Sequence, residues 1–342
     1  MKAMVLDAVS RVEDEPLKLQ TLPVPKPGPR QIRVKVAVCG VCHTELDEIE
    51  GRLRSALPII LGHEIVGTVD SLGAGAAKFK PGDRVGIAWI NSACGACGFC
   101  TSGHENLCPE FRGTGCHAHA GYAEYTVVPE DFAYAIPETF SDAHAAPLLC
   151  AGAIGYRALR PTGVRDGQVL GLFGFGASAH IVIQIVRHKL PRSRIYVFTR
   201  PGQKDHQDLA RELGADWVGA TGDTPPRSVH CAIDFTPVWT PIVEALGILE
   251  KGGRVVVNAI RKEVKDRESL LRLDYSTHLW QEKELKSVAN ITRRDAEEFL
   301  PLAAEIPIIP KVQEFGLENA NDALTLLKRG KIHGAAVLRV SP

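Results

Sequence analysis

Four cysteines within fifteen residues constrain this chain more than any other feature: Cys94-Gly-Ala-Cys97-Gly-Phe-Cys100, then Cys108 after a gap of seven. Thiolates at these spacings can surround a single ion tetrahedrally, with Zn–S bonds of ~2.3 Å. Four protein ligands leave no open position, so the expected occupant is a structural zinc. Gly95, Ala96 and Gly98 leave room for the chain to fold closely around it. An iron–sulfur cluster is the alternative, because C-x2-C-x2-C also begins the bacterial ferredoxin run. That run closes after three residues, whereas this one closes after seven.

The compartment bears on how the thiols are read. Besides the four above, the chain carries Cys39, Cys42, Cys116, Cys150 and Cys231, an odd and uneven set. The opening residues lack the apolar stretch of a signal peptide, and no apolar run approaches the ~20 residues that span a bilayer. A cytoplasmic protein with reduced thiols is expected, and metal ligation comes before disulfides. Lys plus Arg number 40 and Asp plus Glu number 40, so no net field favours nucleic acid or an anionic membrane.

The 342 residues suffice for two domains. In the first half, short β-rich runs (Ile32 to Val38, Ile65 to Val69, Arg84 to Ile87, Ala123 to Val128) are separated by turn signals such as Lys80-Pro81-Gly82-Asp83. From about Cys150 the rhythm changes. Val169 to Phe173 reads as a buried strand, Ala179 to Leu190 as a helix, Arg194 to Thr199 as a strand and Asp205 to Leu213 as a helix. Strands at Cys231 to Phe235 and Gly253 to Ala259 continue the series, which predicts a parallel α/β sheet covered on both faces. Near Asn290 the alternation ends, and a helix leads to a last strand at Ala335 to Val340.

Three further residues form a scattered donor set. Cys42 and His63 lie in Cys42-His43-Thr44-Glu45 and Gly62-His63-Glu64, and Cys150 closes Pro147-Leu148-Leu149-Cys150. Each alone reads as an ordinary structural residue. Together they make the two-thiolate, one-imidazole set of a catalytic zinc with a fourth position open. Such an ion is a Lewis acid that favours the alkoxide of an alcohol, or polarises a carbonyl in reverse. Glu64 is expected as an anion behind the metal and His63.

Gly174-Phe175-Gly176-Ala177-Ser178-Ala179 follows a buried strand and opens a helix. This is the G-x-G-x-x-A dinucleotide fingerprint, with Gly174, Gly176, Ala177 and Ala179 placed to bind a cofactor pyrophosphate at a helix N-terminus. The second strand ends Phe198-Thr199-Arg200, with no acid there to bind a ribose 2′-hydroxyl. Thr199 and Arg200 could instead hold a 2′-phosphate, so NADP is expected, with NAD as the alternative.

In these motifs, and in their order, the chain resembles the zinc-containing medium-chain alcohol dehydrogenases over essentially its whole length. Gly62-His63-Glu64-Ile65-Val66-Gly67 with Gly73, the four-cysteine lobe and Pro147 to Gly152 carry the resemblance. It implies a Rossmann doubly wound parallel sheet plus a mostly β, GroES-like catalytic domain. The implied bounds are 1–149 for the catalytic domain with its zinc lobe, 150–290 for the cofactor domain, and 291–342 for a return to the first. Cys42, His63 and Cys150 would be the catalytic-zinc ligands, so two zinc ions are implied per chain. Thr44 would contact the reacting alcohol, His43 would face the pyrophosphate, and Trp89 would narrow the substrate pocket. A homodimer or homotetramer is implied as well.

Three positions depart from the family pattern. Glu45 stands where Asp is common, Asp47 where many members carry the His that ends a proton relay, and Gly334-Ala335 where many have Gly-Arg. A carboxylate can accept a proton, but its ordinary pKa of ~3.9 matches neutral pH poorly. The expected reaction is reversible oxidation of a small uncharged alcohol to an aldehyde or ketone. A polyol or sugar-alcohol dehydrogenase, and a zinc- and dinucleotide-binding sensor without turnover, are the alternatives.

Overall fold

The computed structural model describes residues 1–306, 308–332 and 334–341. Contacts divide it into two units, Met1–Cys150 together with the segment from Ile291 on, and Ala151–Asn290.

The first unit is built on Gln31–Val41. Its first half alternates, with Ile32, Val34 and Val36 buried and Arg33 and Lys35 turned outward, as a strand with one wet face must. From Val38 to Val41 every residue is buried. This strand pairs antiparallel with Ile65–Leu72 and Ala335–Arg339, and at its beginning with Tyr125–Pro129. The sheet continues through Arg84–Ile87 to Ala133–Ala135 on one side and to Val312–Gly316 on the other. A smaller sheet of Leu17–Thr21, Lys2–Leu6 and Ile59–Ile60 adds to the same core, and the sequence reading missed its strands.

Register is what matters for function. Cys39 pairs with Ile65, so Cys42, three residues on, and His63, two residues back, leave the sheet at the same end. Gly40 lies beside Glu64, its N–H donating to the Glu64 carbonyl at 2.9 Å. A Cβ on Gly40 would fall 2.0 Å from Glu64 Oε2, so glycine is what admits that carboxylate.

The second unit is a six-stranded parallel sheet in the order Trp217–Ala220, Arg194–Thr199, Val169–Phe173, Val229–Asp234, Leu249–Val257, Glu284–Ser287. Val169–Phe173 is buried at every position because apolar clusters cover both faces of the sheet. Phe173 and Phe198 stack across neighbouring strands at 4.2 Å. Chain order reverses direction beside Val169–Phe173, the arrangement that opens a crevice at the carboxyl ends of the strands. The helix there covers Ala179–Lys189. The strand expected from Gly253 begins earlier, at Leu249, with a register irregularity opposite Val229 to Cys231.

Candidate active site and metal centres

Cys42 caps the short helix His43–Ile49. The Glu45 side chain turns back to accept the Cys42 N–H at 2.8 Å, closing a capping box that fixes the entry of this helix. The other Glu45 oxygen lies 2.7 Å from His63 Nδ1, and both residues are buried. A carboxylate at Nδ1 holds the proton there and turns the Nε2 lone pair to the opposite side. There, Nε2 sits 3.3 Å from Cys150 Sγ, and Cys150 Sγ lies 3.8 Å from Cys42 Sγ.

Cys150 arrives from a third direction. It follows the 3-10 turn Ala146–Leu149 and precedes the helix Ala151–Leu159. Leu149 packs over Gly86, where an added Cβ would meet its methyls at 2.8 Å. That contact seats the turn on a strand neighbouring Ile65–Leu72.

The fourth member of the cluster is Glu64, whose carboxylate, with the donor atoms of Cys42, His63 and Cys150, forms a group all within 4.8 Å of one another. The sequence reading expected this carboxylate behind the ligands; its distance allows it to reach the ion directly. Two thiolates sharing a buried site repel one another, so the pair gives up its protons one at a time. The Cys150 thiol beside Cys42 holds the Cys42 thiolate well below its usual range, and the same contact drives Cys150 up. This is the donor set of a divalent, borderline-soft cation. Tetrahedral Zn–S bonds of ~2.3 Å require S···S edges of ~3.8 Å, and the residues fit zinc without rearrangement.

The second cluster is Cys94, Cys97, Cys100 and Cys108, also within 4.8 Å of one another. Cys94 and Cys100 lie 3.8 Å apart, Cys97 and Cys100 3.6 Å. These separations would suit the edges around one ion; an iron–sulfur cube must hold its thiolates further apart. Backbone N–H groups of Cys94, Cys97 and Glu110 point at sulfurs of the set. N–H groups of Ala96 and Cys97 bring Cys94 down to about 7. Buried Glu105 ties the lobe to the helix Arg293–Glu305 by accepting the Arg293 N–H at 2.7 Å.

In the second unit, Gly174 takes φ +83°, a conformation costly for any residue with a Cβ. A Cβ at Gly176 would meet nothing within 4 Å, so the backbone there is open to a ligand. Ala177 stands half-buried beside it, and Ala179, fully buried, starts the helix and packs into the core. The Ser178 hydroxyl donates to the Ala151 carbonyl at 2.7 Å, holding the turn in place.

A family model for the alcohol dehydrogenase GroES-like domain matches residues 28–138. The "Probable alcohol dehydrogenase AdhA" of Mycobacterium tuberculosis is 43% identical over 95% of this chain and 93% of its own. The chain belongs to the zinc-containing medium-chain alcohol dehydrogenases. An alcohol dehydrogenase of Geobacillus stearothermophilus is 32% identical over 99% of this chain and 100% of its own. The crystal structure of an NAD-dependent alcohol dehydrogenase superposes with a TM-score of 0.87 at 25% identity, covering 100% of both chains.

The remaining expected residues of this alcohol dehydrogenase fall in different settings. Thr44 Oγ1 is 3.6 Å from Cys42 Sγ, beside the Cys42, His63 and Cys150 donors, and His43 is exposed. Trp89 is buried edge-on against His63, with centroids 5.1 Å apart, and stacks on Phe111. Asp47, expected in proton transfer, is buried with Arg52 Nε 2.5 Å from its carboxylate. That contact engages the Asp47 carboxylate with a cation. Thr199 is also buried, and its hydroxyl is occupied, accepting from Gln207 and donating to the Arg200 carbonyl. Arg200 is exposed, with no ion-pair partner among the described residues. A 2′-phosphate would therefore have to rely on Arg200, not on Thr199.

Sequence reasoning missed Glu48. It lies one turn beyond Thr44 on the same helix, 1% exposed, with neither oxygen hydrogen-bonded among the described residues. Burial, and then the charge of Glu45, push its carboxyl well above the ordinary range. The i, i+4 spacing from Thr44 was the signal available. Nothing in the sequence showed that both faces of so short and acidic a helix would be buried.

Proposed function

We propose that this alcohol dehydrogenase oxidises a small uncharged alcohol reversibly to an aldehyde or ketone, holding two zinc ions per chain. The catalytic ion belongs to Cys42, His63 and Cys150, with Glu64 within reach, and the structural ion to Cys94, Cys97, Cys100 and Cys108. One observation carries the reading: three donors from separate parts of the chain stand 3.3 and 3.8 Å from one another in the geometry zinc takes.

When bound, zinc would supply Lewis acidity toward the substrate oxygen, and the nicotinamide would serve as hydride acceptor. The chain does the rest. Glu45 fixes the His63 tautomer, and Thr44 Oγ1 is placed to accept the substrate's hydroxyl proton in a hydrogen bond. Trp89, packed on His63, limits the room beside the ligands. Among the described residues no charged side chain is identified as a clamp for a substrate acid, which favours uncharged alcohols.

For the cofactor we favour NADP over NAD. The strand Arg194–Thr199 ends without an acid, the first acid after it is Asp205, and Arg200 and Lys204 are both exposed there. His43 is exposed, as a pyrophosphate contact needs. A homodimer, or a tetramer built from dimers, is favoured by the second unit. Its edge strand Glu284–Ser287 is exposed along its length, and exposed apolar side chains gather just before it: Ile260, Val264, Leu271, Tyr275 and Trp280. A cytoplasmic location is favoured by thiolate chemistry that needs a reducing compartment. No helix among the described residues is long and apolar enough to cross a membrane.

The test is a screen of small alcohols, aldehydes and polyols against both cofactors, following reduced-nicotinamide absorbance. Alcohol-dependent growth of that signal, abolished by Cys42→Ser, is expected. A zinc-loaded protein that binds dinucleotide and turns over none of them would establish the sensor reading instead.

A further inference from the structure

A cleft of 680 Å³ in the first unit belongs to neither metal centre. Its floor is made by Ile60, Asn91 and Thr126, all buried. Thr126 is already satisfied, its hydroxyl donating to the His119 carbonyl at 3.2 Å. Asn91 is not. It is 7% exposed, its carboxamide has no hydrogen-bond partner among the described residues, and it lines the cleft. The residue is held in place by burial while its amide faces the cleft, open to a ligand or to water.

The charge of the lining is one-sided. Lys26 and Arg112 stand exposed on the rim, and no Asp or Glu is among the lining residues. Arg112 is held in place by donating from Nη2 to the His117 carbonyl at 2.6 Å. His119 accepts the Ile60 N–H at Nδ1, at 3.2 Å, so the neutral ring carries its proton on Nε2 as one more donor. Two cations with amide and imidazole donors and no acid select an anion and reject a metal ion.

The walls narrow the class. Pro23, Pro25 and Pro129 offer no N–H to a ligand. Leu22, Ile60 and Val127 give it apolar sides. A planar carboxylate suits the Arg112 fork and the Asn91 amide, and an apolar tail suits the walls.

We propose that this cleft is a second ligand site, taking a small carboxylate with an apolar body, independent of the catalytic zinc.

Calorimetric titration of the zinc-loaded enzyme with hexanoate tests it, with hexanamide and inorganic phosphate as separate arms. Saturable hexanoate binding that persists in Cys42→Ser, and is at least tenfold weaker for hexanamide and for phosphate, is expected. Asn91→Leu should weaken it at least tenfold, and Lys26→Met about threefold with a shallower salt dependence, both with alcohol turnover unchanged. Should Asn91→Leu fail to fold, Lys26→Met, on an exposed segment, decides the question. Binding lost in Cys42→Ser would assign the carboxylate to the metal centre and overturn the site. Phosphate binding as tight as hexanoate, hexanoate binding indifferent to the cleft substitutions, or no saturable binding would each overturn it too.

Discussion

Glu45 Oε1 lies 2.7 Å from His63 Nδ1, so one carboxylate both caps the helix that begins after Cys42 and orients the imidazole that would hold the metal. Where the family commonly has the shorter Asp, the extra methylene here does not break the contact. Glu45→Gln keeps the shape and removes the charge. A ~10–100-fold loss of zinc affinity is expected, measured by competition with a chromogenic chelator. Unchanged affinity would show that the pairing does not tune the ligand.

The two clusters should empty independently. Cys42→Ser is expected to lower bound zinc from two ions per chain to one and to remove activity, with little change in melting temperature. Cys97→Ser should also leave one ion, yet lower the melting temperature, because the lobe loses the ion that organises it. Metal analysis beside calorimetry reads both. Acid should strip either site, since protons compete with the metal for thiolate.

Arg200→Glu puts an acid where the second strand ends and takes away an exposed cation. NADP should weaken at least tenfold, ~1.4 kcal/mol, while NAD holds or improves. Equal losses for both cofactors would defeat the NADP assignment.

If the exposed apolar strip before Glu284–Ser287 is a subunit interface, a charge within it should open the assembly. Leu271 is 88% exposed in the single chain. Leu271→Glu is expected to move the protein toward monomer in light scattering. A wild-type monomer at micromolar concentration would dispose of the interface.

Glu50 links the end of the helix His43–Ile49 to the helix Ala320–Lys328 through Lys328, and also pairs with Arg52. Partial burial works to raise its pKa, but hydrogen bonds from Lys328 and Arg52 outweigh it and bring the carboxyl down to about 2. A depressed folded pKa gives stability that is whole above the unfolded value of ~4.3 and is lost as pH falls toward 2. Glu50→Gln should therefore lower the melting temperature at pH 7, with the gap to wild type closing between pH 4.5 and 2. A gap that does not depend on pH would assign the effect to packing.

Much of the fold was legible because its signals are local. The unbroken apolar run Val169 to Phe173 followed by Gly174-Phe175-Gly176 specifies a buried strand and a phosphate-binding turn within a few residues. The lobe is equally local, since all four thiols lie within fifteen positions. Less local elements were missed: Lys2–Leu6 and Glu284–Ser287 are strands only because partners pair with them. Glu284–Ser287 is exposed throughout, so no burial pattern marked it.

Side-chain direction was the other thing hidden. Asp47 stands at a family relay position and Thr199 at the end of the second strand; one faces Arg52 and the other is buried, accepting a hydrogen bond from Gln207. Glu48 shows the reverse, a buried carboxylate without a hydrogen bond among the described residues and with no motif to announce it.

By itself the sequence determined the class of chemistry, because thiolates, an imidazole and a glycine-rich turn are chosen by composition and short spacing. Only the tertiary structure decided that Cys42, His63, Glu64 and Cys150, up to 108 residues apart, share one small space. The pairing of Cys39 with Ile65 and the packing of Leu149 over Gly86 bring them there. Ligand types are written locally, whereas distances between remote ligands depend on register and packing across the whole unit.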